Sequence, residues 1–470
     1  MNKTTVQFLG AAQNVTGSRY LVRSSGGAHV LVDCGLYQER ALLARNWDTF
    51  PEPPSNLDAV ILTHGHLDHC GLLPKLVREG FRGPVFCTPA TAETARIVLA
   101  DSARLQVEDA EFKRRRHQQE GRSGPRPELP LYTPADAEAC FSRFETREYE
   151  VAPARVAADA TVTFHDAGHI LGSASVRFQF GGAEPLSLLF SGDIGRWGTP
   201  ILRDPTPPQQ ADYVVMESTY GDSLHDDNAA IPDRLAAAVN AACQRGGNVL
   251  IPSFAIERAQ ELLFYFGHLR RSKRIPPLTV FLDSPMAVRV TEVFRRHIDL
   301  FDAETREQLR RGEHPCDFPG LVLCRTAEES KAINQIRGTA VILAGAGMCT
   351  GGRIKHHLAA NLGRPDSTLL FVGYQAVGTL GRQLLDGAPT VRLFGQQQAV
   401  RLTVERISGF SAHADRDELT RWVSALDPAP RRVFVTHGEP ETARAFAEHL
   451  RRTRGWDPVV PAYSDTAVLD

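Results

Sequence analysis

The sequence contains no Cys-x-x-Cys pair: its eight cysteines, at 34, 70, 87, 140, 243, 316, 324 and 349, are scattered over 470 residues. That spacing argues against a thiolate zinc site, and a disulfide framework is out of place in so long a chain. The cysteines read as reduced, small core residues, with Cys70 of interest only as the neighbour of His69. No apolar run approaches a membrane-spanning length, and residues 1–10 have no apolar stretch suited to a signal peptide, so the expected location is the cytoplasm. Net charge is also scarce. At a formal -2 the chain is not the basic body of many nonspecific nucleic-acid binders; a polyanion site must come from local positive charge or bound metal. Internal repeats, low-complexity tracts and coiled-coil heptads are missing too. What remains is an ordinary globular composition, 42% hydrophobic and 23% charged, sufficient for two or three domains.

Against that background, Thr63-His64-Gly65-His66-Leu67-Asp68-His69 stands out. Four metal-capable side chains follow the apolar run Ala59-Val60-Ile61-Leu62, the position of a strand end. Zinc accepts imidazole nitrogen and carboxylate oxygen. A tight turn at Gly65 lets His64 and His66 converge on one ion while Asp68 and His69 face a neighbour, so the stretch predicts the start of two sites. The helical spacing of Leu72, Leu73, Leu76 and Val77 predicts a helix opening near His69.

A two-metal cluster demands distant ligands, and further apolar strands end in suitable groups. His29-Val30-Leu31-Val32 leads into Asp33, a turn former by itself, which beside the histidine cluster could orient an imidazole. The alternating strand over 161–166 delivers His169, the third ligand candidate, while His165 within the strand reads as structural. Leu188-Leu189-Phe190 runs to Asp193, a carboxylate able to bridge two metals, and Val214-Val215-Met216 runs to Glu217. Near the C-terminus, Thr436-His437-Gly438 copies the strand-Thr-His-Gly arrangement of residues 60–65, making His437 a ligand candidate; His413 lies in Ser411-Ala412-His413-Ala414-Asp415.

Between these halves, helices over 231–245, 257–270 and 286–298 alternate with buried strands over 248–252, 278–282, 340–344 and 368–372, the texture of an inserted α/β domain with a parallel sheet. A helix is also expected over 91–117, a loop over 121–130 and a helix over 134–144. The glycine-rich turn 345–353 lies between a strand and a helix, and its Gly351, Gly352 and Arg353 are candidate phosphate contacts through backbone N–H groups and charge. It lacks a Walker lysine, and tight packing explains such a turn equally well.

Taken together, these motifs resemble the metallo-β-lactamase superfamily and, within it, the β-CASP nucleases, which include bacterial RNase J and the endonuclease subunit of the eukaryotic mRNA 3′-end cleavage machinery. The more selective signatures are Glu217-Ser218-Thr219-Tyr220-Gly221, Pro252-Ser253-Phe254-Ala255 with Arg258-Ala259-Gln260-Glu261, Asp283-Ser284-Pro285-Met286-Ala287, the Gly347 to Gly352 turn, and the two C-terminal histidine motifs. The resemblance implies a four-layer αββα metallo-β-lactamase fold over 1–221 and 389–470, with an inserted α/β β-CASP domain over 222–388 acting as a lid. It implies one zinc on His64, His66 and His169, a second on Asp68, His69 and His437, Asp193 shared between them and Asp33 behind them. Glu217 and His413 would lie beside the scissile phosphate, and with Asp68 they are the candidate catalytic residues. His437 favours RNA over DNA, because DNA-directed members usually carry an apolar residue there. Only 33 residues, 438–470, follow His437, which is expected of a minimal bacterial form of the cleavage-endonuclease type.

The implied activity is hydrolysis of single-stranded RNA, endonucleolytic, leaving 5′-phosphate and 3′-hydroxyl ends. Two zinc ions roughly 3.5 to 4 Å apart would bring a bridging water toward a pKa of about 7 and supply hydroxide to attack phosphorus. The expected partner is single-stranded RNA and not a membrane; a homodimer stays open. Two other readings fit the same scaffold: a zinc hydrolase of a small thioester, lactam or phosphodiester, and a non-catalytic RNA-binding scaffold.

Overall fold

Strict alternation, as in Thr161-Val162-Thr163-Phe164-His165, gives strands one core face and one polar face. In the computed structural model, described over residues 3–123, 128–181, 185–336 and 338–470, such strands build two sheets in a first unit comprising Met1–Trp197, Asp204–Leu224 and His413–Asp470. One sheet has the spatial order Thr466–Leu469, Thr4–Gly10, Arg19–Arg23, His29–Val32, Ala59–Ile61, Val85–Cys87 and Phe144–Thr146. The other runs Arg432–Val435, Tyr213–Met216, Leu186–Phe190, Ala174–Phe180, Ala160–Asp166 and Ala154–Ala157. Their inner faces meet in one core, with Phe8, Tyr20, Val32 and Ile61 from the first sheet packed among Phe164, Phe178, Phe190 and Val215 of the second.

The outer faces are covered by helices. Trp422 and Val423 of Arg416–Val423, and Phe446 and Leu450 of Pro440–Arg454, pack on Val214, Met216 and Val435. The first sheet carries Leu73–Arg78, Pro89–Glu120 and Pro134–Phe141. This is the four-layer αββα arrangement. The expected loop over 121–130 includes residues 124–127, which lie outside the described residues.

The second unit comprises Gly198–Arg203 and His225–Ala412. Its six-stranded sheet is parallel throughout, in the order Leu321–Leu323, Thr279–Asp283, Ala340–Ala344, Val249–Pro252, Thr368–Phe371 and Thr403–Arg406. Its central strands are buried along their whole length, as parallel strands covered on both faces should be. The unit boundaries fall at Leu224/His225 and Ala412/His413, where the sequence suggests 221/222 and 388/389. The chain past 388 stays with the insert because Thr403–Arg406 pairs with Thr368–Phe371.

Candidate metal centre

Parallel neighbouring strands end at one edge of a sheet, so the loops that follow them gather there. In the first sheet His29–Val32 and Ala59–Ile61 are parallel neighbours, and Asp33 and the 63–69 turn follow them. In the second, Leu186–Phe190, Tyr213–Met216 and Arg432–Val435 are parallel neighbours, leading to Asp193, Glu217 and His437. His169 arrives from the turn after Ala160–Asp166. Asp33 and His437 adopt left-handed backbone, with φ of 58° and 47°. For residues with a Cβ this is strained, and it persists where the surrounding structure demands it.

Of three groups of metal-capable side chains among the described residues, two carry the expected ligands and the third is Asp193 with Glu217 and His413. His64, His66, His169 and Asp193 make the first; Asp68, His69 and His437 make the second. His64 Nε2 lies 3.0 Å from His66 Nδ1, which is 3.3 Å from His169 Nε2. His69 Nε2 lies 3.1 Å from His437 Nε2, and Asp68 Oδ2 is 3.6 Å from the latter. Asp193 addresses both groups. Its Oδ2 is 3.4 Å from His64 Nε2 and 3.6 Å from His169 Nε2, while its Oδ1 is 3.3 Å and 3.6 Å from the Nε2 atoms of His69 and His437.

The far sides of the rings fix what the near sides can be. His69 Nδ1–H donates to Asp33 Oδ2 (2.7 Å), His64 Nδ1 meets the Thr63 hydroxyl (3.1 Å), and His437 Nδ1 meets the Thr219 hydroxyl (3.0 Å). The Thr63 hydroxyl donates to Asp33 Oδ2 and the Thr219 hydroxyl to the His437 carbonyl, so each accepts from its imidazole. In its neutral form each of the three rings then turns a bare Nε2 lone pair inward. Converging lone pairs repel, and Asp193 Oδ1 is buried without a hydrogen bond. A cation resolves both problems, and a nitrogen and carboxylate donor set is one that zinc accepts. The residues therefore fit a metal.

The electrostatics divide the rings between the two groups. Burial, aided by the positive charge of His69, holds His64 well below its ordinary pKa; burial also lowers His66 to about 4 against the pull of Asp68 and Asp193. Burial opposes protonation of His69 and His437 as well, but Asp193 with Asp33 or Asp68 outweighs it and raises both. Although burial favours its neutral form, Asp193 is held well below the usual carboxylate range by His437, His69 and His64.

His413 borders the first group. Its Nδ1 is 3.3 Å from Glu217 Oε1 and 3.9 Å from Asp193 Oδ2, and its ring centroid is 4.4 Å from that of His169. Burial works against its charge, yet Glu217, followed by Asp193 and Asp68, pushes its pKa up to about 9. Glu217 is fixed in turn: its Oε1 accepts the Ile194 N–H (2.6 Å) and its Oε2 the Thr219 N–H (3.2 Å). His66, Asp68 and His413 remain partly exposed while the other ligand candidates are buried, which marks the open side of the cluster.

Three family profiles match the chain: the metallo-beta-lactamase superfamily over 14–127, the Beta-Casp domain over 259–384 and a Zn-dependent metallo-hydrolase RNA specificity domain over 397–461. Ribonuclease TTHA0252 of Thermus thermophilus is 40% identical over 444 residues, 94% of each chain. The chain belongs to the β-CASP family of metallo-β-lactamase-fold ribonucleases. Proteins named transcription termination factor FttA are further relatives. That of Methanocaldococcus jannaschii is 33% identical over 98% of this chain and 71% of its own length, and that of Pyrococcus horikoshii 31% over 98% and 70%. A solved structure described as a protein of unknown function from Enterococcus faecalis aligns over the whole of both chains with a TM-score of 0.57 at 13% identity, a likeness of fold alone. No helix among the described residues is long and apolar enough to cross a membrane.

Within this β-CASP chain the ten residues expected around the metals, the seven ligand candidates with Asp33, Glu217 and His413, come together in the first unit. Gly351, Gly352 and Arg353 lie in the second. The Arg353 guanidinium donates to Asp283 Oδ1 (2.6 Å) and to the carbonyls of Cys324 (3.2 Å) and Arg325 (3.0 Å), so this side chain is an internal strut rather than the expected phosphate contact. Gly352 has a φ of 69°, and a Cβ there would come 2.3 Å from the Gly345 carbonyl oxygen, which accounts for the glycine by close approach. Sequence reasoning passes over Thr63 and Thr219. The Thr-His pair of residues 63–64 is a usable signal for the first; nothing adjacent in sequence marks the second.

Proposed function

We propose that the chain is a zinc-dependent endoribonuclease that cuts single-stranded RNA, holding two zinc ions and leaving 5′-phosphate and 3′-hydroxyl ends. His64, His66 and His169 would hold one ion and Asp68, His69 and His437 the other, with one Asp193 oxygen turned toward each. When bound, zinc supplies a nucleophile from water at neutral pH and offsets charge building on the phosphate oxygens.

The observation that carries the reading is the Glu217–His413 pair beside Asp193. Glu217, immobilised by two backbone N–H groups, keeps the His413 ring protonated and oriented. An imidazolium on the open side of the cluster is a general acid for the departing 3′ oxygen and a positive group for a non-bridging oxygen. Asp33 and the Thr63 and Thr219 hydroxyls fix ring orientation and tautomer, so that each neutral ring would offer its inward nitrogen to a metal. The name of the Thermus thermophilus relative supports RNA as substrate.

The test is an internally labelled single-stranded RNA, incubated with zinc-loaded protein beside a matched DNA strand, with the product ends sequenced. Internal cuts in RNA with 5′-phosphate ends that disappear in Asp68→Ala support the reading. Mononucleotide release from the 5′ end would replace endonuclease with exonuclease action. An intact strand bound but uncut would point to a scaffold, and an intact strand with turnover of a small thioester would point to a small-molecule hydrolase.

A further inference from the structure

Phe254, Tyr374 and Val377 are large apolar side chains in the second unit that face solvent, 46%, 56% and 83% exposed. They are not on a loose loop. Ala340–Ala344, Val249–Pro252 and Thr368–Phe371 are adjacent parallel strands, so the segments after them, beginning at Gly345, Ser253 and Val372, meet at one edge. The Phe254 ring rests on bare backbone: a Cβ on Gly347 would lie 2.9 Å from two of its ring carbons, and one on Gly373 would lie 3.8 Å away. Buried Gln375 ties the same segments together, its Nε2 donating to the Gly347 carbonyl (2.9 Å) and the Gly373 carbonyl (3.3 Å).

The location adds a second argument. Val249–Pro252 connects onward to Thr279–Asp283 on one side of the sheet order, and Thr368–Phe371 connects to Thr403–Arg406 on the other. Adjacent parallel strands whose connections diverge open a crevice beyond their carboxyl ends, where α/β sheets bind ligands. Here the side chains at that position are aromatic, and the absence of a side chain at Gly347 lets the Phe254 ring approach the loop closely. An exposed aromatic ring at such a crevice matches the face of a nucleobase and tolerates any base.

We infer that Phe254 and Tyr374 are a stacking platform for bases of the single-stranded RNA substrate, an inference that rests on the ribonuclease reading above. The platform binds the strand and takes no part in bond cleavage.

Steady-state cleavage of a single-stranded RNA and of an abasic oligoribonucleotide of equal length tests it. Phe254→Ala and Tyr374→Ala should raise KM for the RNA roughly ten-fold or more while kcat changes little, since base stacking contributes to strand affinity. Phe254→Trp should keep the low KM. Gly347→Ala, which retains the phenylalanine but pushes its ring off the backbone, should behave as Phe254→Ala does. On the abasic strand all variants should match the wild type. An unchanged KM for RNA in the alanine variants overturns the platform, as does an equal rise on the abasic strand. If the wild-type protein cuts neither strand, the ribonuclease reading itself fails and the platform fails with it.

Discussion

Asp33 Oδ2 lies 2.7 Å from His69 Nδ1, and Asp33 Oδ1 accepts the Thr63 backbone N–H at 2.8 Å, so one buried carboxylate sets both a candidate ligand ring and the turn that carries His64 and His66. Removing it frees the His69 tautomer and the turn together. Asp33→Ala is expected to weaken zinc binding by about 10- to 100-fold, the range for carboxylates behind metal-bound imidazoles. Competition with a chromogenic chelator measures this; wild-type affinity in the variant contradicts the role.

His413 is expected to act on the substrate rather than on the metal. In His413→Ala, single-turnover RNA cleavage should fall by about 10²- to 10⁴-fold, the usual contribution of a general acid, while zinc content stays at the wild-type level. Glu217→Gln should fall in the same direction, because the ring loses the charge that keeps it protonated. Loss of zinc in His413→Ala would reassign the residue as a ligand.

In the second unit, Asp283 is fully buried, accepting from Ser330 (2.6 Å), Arg353 (2.6 Å) and His357 (2.6 Å). Burial alone would raise its pKa, but the bonds from His357, Ser330 and Arg353 hold it below the ordinary carboxylate value. The unfolded chain therefore takes up this proton first as pH falls. Its stabilisation is complete above the ordinary aspartate pKa of about 3.9 and is lost as pH drops below that toward the lower folded value. Denaturation midpoints measured across this window should fall less steeply in Asp283→Asn than in the wild type. At neutral pH Asp283→Ala should cost about 3 to 5 kcal/mol, because it leaves Arg353 without its counter-charge and the buried His357 Nε2 and Ser330 hydroxyl without their acceptor. Parallel acid limbs in wild type and Asp283→Asn contradict the assignment.

The gathering of these histidines and carboxylates is largely legible because strand ends announce it. An apolar run ending in His64, Asp193 or His437 is a local signal, and parallel neighbours bring such ends together without further information. What eluded the sequence depends on which partner a side chain finds. Thr63 and Thr436 each precede a histidine, yet the Thr63 hydroxyl meets His64 Nδ1, whereas that of Thr436 meets Tyr20 and the Met216 carbonyl, leaving His437 to Thr219. Arg353 follows two glycines as a phosphate contact might, but its partner Asp283 stands 70 residues earlier. Helix bounds shifted for local reasons. The helix expected to open near His69 is two short ones, Leu67–Cys70 and Leu73–Arg78, and Thr88 caps Pro89–Glu120 slightly before the expected start. In the hairpin Thr390–Leu393 with Gln396–Ala399, the first strand alternates and buries Val391 and Leu393 while the second is largely exposed, so the apolar signal is only two residues long.

The most direct test of the account is a zinc titration of the metal-depleted protein, following RNA cleavage and bound metal together. Activity should be absent at the start, rise with added zinc and reach its plateau at two ions per chain, because Asp193 turns one oxygen to each group of imidazoles. Full activity at one ion per chain, or cleavage by the metal-depleted protein, would contradict it.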